Sequence, residues 1–166
     1  SRKGTETIST DEQPGKARPE KIPTLRPAFA KDGTITAANA SSISDGAAAL
    51  VMTRESVARA MNLPIVARVV AHAAHAHEPG LFTTAPVPAM QKALKKAGWS
   101  VDDVDLWEIN EAFAVVPMIA MKEMGMSRDK VNVNGGACAL GHPIGASGAR
   151  ILATLLCALE AHGKTK

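Results

Sequence analysis

The sequence predicts an α/β protein in which helices flank a sheet that is mainly parallel. Strand-like and helix-like segments alternate between residues 65 and 163, the order that a parallel sheet with packed helices requires. The composition, with 46% hydrophobic and 21% charged residues, is typical of a globular protein. A glycine-rich stretch at 131–150 predicts a short strand, a loop and the start of a helix, an arrangement that often carries functional groups.

Charge and composition argue against several classes of protein. The net charge is only +3, and five of the 19 basic residues fall in the first 21 positions, so no nucleic-acid partner is expected. No apolar run approaches the ~20 residues that span a bilayer, and no signal peptide is recognisable. We therefore expect a cytoplasmic protein with no membrane segment. Two cysteines do not suggest a disulfide framework.

The first third of the chain contains few helix or strand patterns. Residues 1–28 are rich in charge and carry four prolines, which predicts an extended segment that lies on another surface. Asp32-Gly33 predicts a local turn. The apolar run 47–52 predicts a fully buried strand, and residues 55–61 predict a short helix after it.

A second strand is predicted at 66–74, where valines give the segment β-branched character. His72, His75 and His77 lie at its end and raise the possibility of a metal site. No carboxylate or cysteine stands at ligand spacing nearby, so we interpret them as surface or strand-end residues and expect no metal.

The next strand and its flanking helices follow in clear order. Pro88 opens a helix that Gly98 closes, with apolar positions at helical spacing between them. Residues 104–109 predict a strand, and Asn110 follows at once as the predicted N-cap of a further helix. Pro117 is expected to kink that helix.

The stretch 131–150 places a histidine in front of a helix. Alternating Val131 and Val133 predict a short strand, glycines break it, and leucines at helical spacing continue to a stop at Gly163. His142 therefore lies in the loop before a helix N-terminus, where a positive dipole favours an anion or a developing oxyanion. A histidine there is a candidate acid, base or oxyanion donor.

Both His142 and Asn110 are predicted to lie at the carboxyl ends of strands, where parallel sheets gather their chemistry. Each has a purely structural alternative: Asn110 as a helix cap, and His142 as a histidine locked in a tight turn. Cys138, four residues before His142, is the obvious candidate nucleophile, since a thiolate and an imidazole form a working pair. Cys157 is predicted to be a small buried hydrophobe. The residues alone leave these alternatives open.

Two motifs resemble signatures of the thiolases. They are VNVNGGACALGHPIGASGAR at 131–150 and Asn-Glu-Ala-Phe-Ala at 110–114, and the resemblance extends to 36–49 and 86–99. It implies a thiolase-like α/β fold of which residues 1–43 are a remnant of the loop domain and 44–64 the last strand and helix of the N-terminal domain. Residues 65–166 would then be a truncated C-terminal domain. The N-terminal half and the last two strands of the fold are expected to be absent from this sequence.

The resemblance also implies roles for individual residues. His142 would activate the nucleophilic cysteine and donate to an oxyanion hole, and Asn110 would hold the water that completes that hole. Ser41, Phe82 and Phe113 would lie along the pantetheine of coenzyme A. The nucleophile is expected to be absent from this chain, with Cys138 in a packing role. Two residues near Ser41 depart from the family pattern, which usually has glycine at both places: they are Ala38 and Ser42.

The activity implied by the resemblance is acyl transfer between thioesters. We expect a parent enzyme that condenses two acetyl-CoA molecules or cleaves acetoacetyl-CoA, with no cofactor beyond these coenzyme A thioesters and with a homo-oligomeric assembly. Two alternatives remain: a thiolase of broader 3-ketoacyl-CoA chain length, and a noncatalytic module that binds coenzyme A or a partner. A separate cysteine-bearing half would discriminate an enzyme from such a module.

Overall fold

A computed structural model describes residues 4, 5 and 7–166 of the chain, in two compact units. The first unit ends at Ala38 and the second comprises Asn39–Lys166. Residues 1–3 and 6, which belong to the predicted remnant of the loop domain at 1–43, lie outside the described residues. Each unit is described by itself.

The first unit contains short helical segments and one turn. Helix α1 spans Glu12–Lys16, capped by the Asp11 carboxylate, which accepts from the Gln13 N–H at 2.9 Å. A 3₁₀ helix follows at Pro19–Thr24. The predicted extended course is therefore wrong over these two segments, although neither buries a side chain. The predicted turn is confirmed, because the Gly33 N–H donates to the Ala30 carbonyl at 2.9 Å.

The second unit contains five α-helices and two 3₁₀ helices among its residues, all of which are described. The α-helices are α2 (Glu55–Ala60), α3 (Pro86–Ala97), α4 (Val115–Met124), α5 (Ala137–Leu140) and α6 (Ile144–Ala161), and the 3₁₀ helices are Pro79–Thr84 and Arg128–Lys130. The helix predicted from Pro88 to Gly98 is confirmed as α3, which begins two residues earlier. Gly98 ends it in the left-handed conformation, with φ 69°, as a glycine can without steric cost.

The core of this unit lies where α3 and α4 pack over two parallel segments. The Trp107 N–H donates to the Lys130 carbonyl at 2.8 Å and the Asn132 N–H donates to the Trp107 carbonyl at 2.8 Å, which makes a parallel bridge between Trp107 and Val131. The predicted parallel arrangement of the strand-like segments is thereby confirmed at this bridge. Buried apolar side chains form one cluster around it: Val87, Ile109, Val116, Ala120, Met126 and Val131.

Two predictions about α4 are wrong. The helix begins at Val115 with Ala114 as its N-cap, so Asn110 does not cap it and lies instead in the connection after the strand-like segment. Pro117 is the third residue of α4 and does not kink it. Residues of the first helical turn have no intrahelical acceptor for their N–H, so proline is tolerated there.

The segments predicted as strands at 47–52 and 66–74 are largely exposed and contain no assigned strand. Val51 is 99% exposed and Val66 80% exposed, so the prediction of a buried strand at 47–52 is wrong for this structure. Among the described residues, no backbone hydrogen bond joins either segment to a neighbour. A buried strand needs paired strands and a covering layer, and here neither segment has them.

Helix α6 is long and apolar enough, by length and composition, to cross a membrane. Its first turn is nevertheless packed, because Ala146 and Ser147 are buried, and Ala158 is buried near its end. Core helices of globular proteins meet the same criterion of length and composition. The described residues of α6 therefore bury only a small part of the helix, at its first turn and near its end.

We expect the 166-residue chain by itself to self-associate through 47–52 and 66–74 or to be only marginally folded, because apolar side chains and unpaired backbone groups are open to water there. In analytical ultracentrifugation, a Val51→Lys/Val66→Lys double variant should show a lower average molecular mass than the unaltered chain, because it associates less. Met118→Lys, which charges an exposed apolar side chain on α4, is the matched control and should change nothing.

A wild-type chain that stays monomeric at high concentration and melts cooperatively above about 60 °C, the upper part of the usual mesophile range, would contradict this expectation.

Candidate active site

His142 is held by a serine one helical turn further along the chain. The His142 Nδ1 atom lies 2.6 Å from the Ser147 Oγ atom, and the Ser147 hydroxyl donates to the Pro143 carbonyl at 3.1 Å. Since the hydroxyl proton is used on Pro143, its oxygen accepts from an N–H at Nδ1. This assigns the proton of neutral His142 to Nδ1 and leaves a lone pair on Nε2.

The Nε2 atom of His142 faces Asn110. Its distance from the Asn110 Nδ2 atom is 3.4 Å, so the amide group donates toward the ring nitrogen. The other amide atom, Oδ1, is buried and has no hydrogen-bond partner among the described residues. An unsatisfied buried acceptor is costly, and a small polar ligand or water that donates to it would remove that cost.

Further unsatisfied polar atoms surround the same strand end. Trp107 Nε1, Glu108 Oε1 and Arg150 Nε are also buried without a partner in the described part of the chain. Burial raises the pKa of Glu108, which the Arg150 charge opposes and the Glu111 charge reinforces. Each of these buried atoms lacks a hydrogen bond within the described residues, and an unpaired buried polar group costs free energy.

The segment 39–44 joins the two loops that carry Asn110 and His142. The His142 N–H donates to the Ser42 carbonyl at 2.9 Å. Ala40 forms an antiparallel bridge with Phe113, three residues after Asn110. The close approach of the His142 loop to the segment 39–44 requires glycine at position 141. There φ is 89°, and a Cβ would collide with the Ser44 hydroxyl.

The three residues predicted to contact coenzyme A lie around this junction. The Ser41 hydroxyl donates to the Ala112 carbonyl at 3.0 Å, so its oxygen remains available only as an acceptor. The rings of Phe82 and Phe113 meet edge to face, with centroids 6.1 Å apart. Phe82 is half exposed, so an apolar ring borders solvent beside the junction.

Ala38 and Ser42, which stand where the family usually has glycine, show no backbone strain. The non-glycine residues with positive φ among the described residues are Asn62 and Asn132, so neither departure occupies the left-handed region that favours glycine. The Ser42 hydroxyl lies 3.0 Å from the Ser44 hydroxyl, within hydrogen-bond distance.

Cys138 is poorly suited to act as a nucleophile. Burial, the nearby Glu111 carboxylate and a hydrogen bond to Glu111 raise the pKa of its thiol to about 11, so the thiolate is scarce near neutral pH. Its Sγ atom faces the Glu111 carbonyl at 3.9 Å, and no hydrogen bond joins it to His142 among the described residues. Cys157, predicted to be buried on α6, is exposed, and that prediction is wrong.

Two of the three histidines after residue 71, His75 and His77, have side-chain partners, and the backbone carbonyl of His72 accepts from the Lys96 ammonium at 2.9 Å. The Lys92 ammonium donates to His75 Nδ1 at 3.0 Å, and desolvation, followed by the charge of Lys92, lowers the pKa of His75. The His77 Nε2 atom lies 2.8 Å from the Leu81 carbonyl. No group of three metal-ligating side chains occurs within the described part of the chain.

Sequence reasoning missed three residues that hold the site together. Ser147 fixes the His142 tautomer, and a polar residue about one turn after a loop histidine was the available signal. Asn132 and Glu111 link the two loops through side-chain hydrogen bonds. Asn132 is separated from the paired glycines by two residues, so its left-handed conformation had no clear local signal. Nothing local indicated the contact of Glu111 with the distant loop either.

Comparison with known proteins identifies the family. Residues 1–56 match the family model for the thiolase N-terminal domain, and residues 63–166 match that for the thiolase C-terminal domain. The chain belongs to the thiolase family. An acetyl-CoA acetyltransferase of Escherichia coli strain K12 is 54% identical over 165 residues, which cover 99% of this chain and 42% of that relative.

Solved thiolase structures agree with the fold. Acat5 thiolase from Ascaris suum in complex with coenzyme A superposes with a TM-score of 0.82 and 43% identity, over 92% of this chain and 40% of that one. Human mitochondrial 3-ketoacyl-CoA thiolase in complex with CoA gives a TM-score of 0.80 and 41% identity, over 90% and 38%. The predicted thiolase-like α/β fold is thus confirmed, and the chain spans about two fifths of the length of these relatives.

The raised pKa of Cys138 predicts slow alkylation at neutral pH. In a Cys157→Ser chain, the iodoacetamide reaction at Cys138 should accelerate from pH 8 upward and level off only near pH 11, because the thiolate is the reacting form. Mass spectrometry of the labelled peptide measures the rate. Labelling of Cys138 at pH 7 as fast as that of the exposed Cys157, in a matched Cys138→Ser chain, would contradict the assignment.

The contact between Ser147 and His142 predicts a single tautomer. In ¹⁵N-histidine NMR the neutral ring of His142 should carry its proton on Nδ1, and Ser147→Ala should convert it to a tautomer mixture because the acceptor is lost. Ser127→Ala, which removes the hydroxyl cap of the 3₁₀ helix at Arg128–Lys130, is the control and should leave His142 unchanged. A mixed tautomer in the unaltered chain would refute this geometry.

Proposed function

We propose that this thiolase chain supplies the histidine and asparagine of an acetyl-CoA acetyltransferase active site. The proposed reaction is the condensation of two acetyl-CoA molecules or the thiolytic cleavage of acetoacetyl-CoA. The observation that carries the proposal is the pair His142–Asn110, in which the Nε2 lone pair of His142 faces Asn110 Nδ2 at 3.4 Å and Asn110 Oδ1 is an unsatisfied acceptor. The name of the Escherichia coli relative supports the choice of reaction.

The role of His142 follows from its tautomer. With Nδ1–H held by Ser147, the Nε2 lone pair can accept the proton of a thiol and so raise its nucleophilicity. Once Nε2 is protonated, the same N–H is a donor for the oxyanion that forms when the thiolate attacks a thioester carbonyl. One ring nitrogen therefore serves both steps, while Ser147 keeps the ring from rotating.

The role of Asn110 follows from its unsatisfied oxygen. A water molecule that donates one hydrogen to Asn110 Oδ1 retains a second hydrogen, which it can donate to the same oxyanion. Asn110 Nδ2 lies 3.4 Å from His142 Nε2, so a water held by Asn110 would lie in the same site as the ring nitrogen. Together they form a two-donor oxyanion hole.

The substrate side of the proposal concerns Ser41, Phe82 and Phe113. The edge-to-face rings offer an apolar wall for the pantetheine arm of coenzyme A, and Ser41 keeps an acceptor for an amide N–H. The Ascaris suum and human relatives were solved with coenzyme A, which supports this substrate class. We propose no cofactor beyond the thioesters themselves.

The nucleophile is proposed to be a cysteine outside these 166 residues. Cys138 has a raised pKa and does not contact His142, and Cys157 lies exposed on α6. The domain boundaries at 43 and 64, the cytoplasmic location and the homo-oligomeric state stay predictions.

Two alternatives remain open in our proposal. A 3-ketoacyl-CoA thiolase of broader chain length is favoured by the likeness to the human 3-ketoacyl-CoA thiolase, since the pair His142–Asn110 does not touch the acyl tail. A noncatalytic module that binds coenzyme A or a partner is favoured by the high pKa of Cys138 and the exposed position of Cys157. Competition between acetoacetyl-CoA and longer 3-ketoacyl-CoA thioesters separates the first alternative from the proposal.

The test uses a chimera in which this chain replaces the matching segment of the Escherichia coli relative. We expect thiolysis of acetoacetyl-CoA by the chimera and only background activity by the chain alone. His142→Ala should lower kcat by several orders of magnitude, and Asn110→Ala by about 10²- to 10³-fold, the cost of one lost oxyanion donor. His162→Ala, at the C-cap of α6, is the control and should retain full activity.

A folded chimera without activity would favour the noncatalytic module. Activity of the chain alone that disappears in Cys138→Ser would show that the nucleophile is misassigned.

A further inference from the structure

Asn132 uses its side chain to extend the parallel pairing beyond the point where its backbone turns away. Its φ is 47°, and its backbone carbonyl accepts from the Gly135 N–H at 2.9 Å. In a continued ladder, the Ile109 N–H would donate to that carbonyl. Instead, Asn132 Oδ1 accepts from the Ile109 N–H at 2.8 Å and Nδ2 donates to the Ile109 carbonyl at 2.9 Å. The amide thus replaces two backbone groups.

The second hydrogen of the Asn132 amide reaches Glu111. Nδ2 donates to Glu111 Oε1 at 2.9 Å, and Oε2 of the same carboxylate accepts from the Cys138 backbone N–H at 3.0 Å. Space for the carboxylate depends on Gly136, because a Cβ at that position would collide with it. Both oxygens of one carboxylate are therefore bound to donors on the chain segment that leads to His142.

This carboxylate ties together the two loops of the proposed site. Glu111 follows Asn110 directly, and Cys138 belongs to α5, which ends at Leu140, one residue before the Gly141–His142 turn. We infer that Glu111, held by Asn132, is a positioning residue that sets His142 against Asn110, an inference that rests on the proposed function of that pair. Glu111 itself need not touch the substrate.

Three substitutions disturb this contact in different ways. Glu111→Gln keeps the shape but has one acceptor oxygen and no charge, so the hydrogen bond from the Cys138 N–H is either lost or loses its charge assistance. Gly136→Ala leaves Glu111 in the chain and displaces its carboxylate. Asn132→Gly removes the amide while glycine tolerates the positive φ, so the loss is not confounded by backbone strain.

Matched controls exist for two of them. Glu123→Gln makes the same chemical change at an exposed position on α4. Gly148→Ala adds a Cβ where nothing lies within 4 Å.

Two measurements on the 166-residue chain test the inference without any substrate. Hydrogen exchange of the Cys138 amide should accelerate about 10- to 100-fold in the three variants, the range expected for one lost hydrogen bond to a charged group. In ¹⁵N-histidine NMR, His142 should shift from the Nδ1–H tautomer toward a mixture, because its ring moves relative to Ser147 and Asn110. The two controls should match the unaltered chain in both measurements.

Faster exchange at Cys138 with an unchanged His142 signal would overturn the inference, since Glu111 would then stabilise α5 alone. Unchanged exchange would overturn it as well. If a variant unfolds, Gly136→Ala and Glu111→Gln still give independent readings, because they alter opposite sides of one contact. Failure of the proposed function would appear instead in the thiolysis assay of His142→Ala, so the two failures are distinguishable.

Discussion

The register between two short parallel segments is the constraint on which the rest of the site depends. One backbone bridge, Trp107 to Val131, and one side-chain amide, Asn132, hold the ends of these segments side by side. Asn110 follows the first segment, and the loop to His142 follows the second. A shift of register by one residue would turn the side chains of either segment to the opposite face, so it would separate Asn110 from His142.

The predicted helices agree with the structure where the sequence signals that define them lie within the helix or next to it. In α3 the apolar spacing, the proline start and the Gly98 stop all lie within the helix or next to it, and α6 likewise ends just before Gly163. The strands at 47–52 and 66–74 depended on neighbours that the described residues do not provide. Their apolar sequences predict burial in a sheet, but burial requires paired strands and a covering layer, which the described residues do not provide.

The proximity of His142 and Asn110 could be predicted from the sequence, and the residues that hold them could be predicted less well. His142 and Asn110 follow from their place after strands and before helices, although the expected N-cap at Asn110 was displaced to Ala114. Ser147 acts across one helical turn, a short range that sequence spacing can suggest. Glu111 acts on a residue 27 positions away, and only tertiary structure brings that pair together. Side chains that orient others leave no periodic pattern.

Trapping the acyl-enzyme tests the central claim most directly, because it identifies which atom takes part in the chemistry beside His142 and Asn110. The chimera with the Escherichia coli relative would be quenched soon after mixing with acetyl-CoA, digested, and analysed for the acetylated cysteine. The account predicts an acetyl group on a cysteine of the relative's segment and none on Cys138 or Cys157, with loss of this adduct in His142→Ala. Acetylation of Cys138 that is independent of His142 would contradict it.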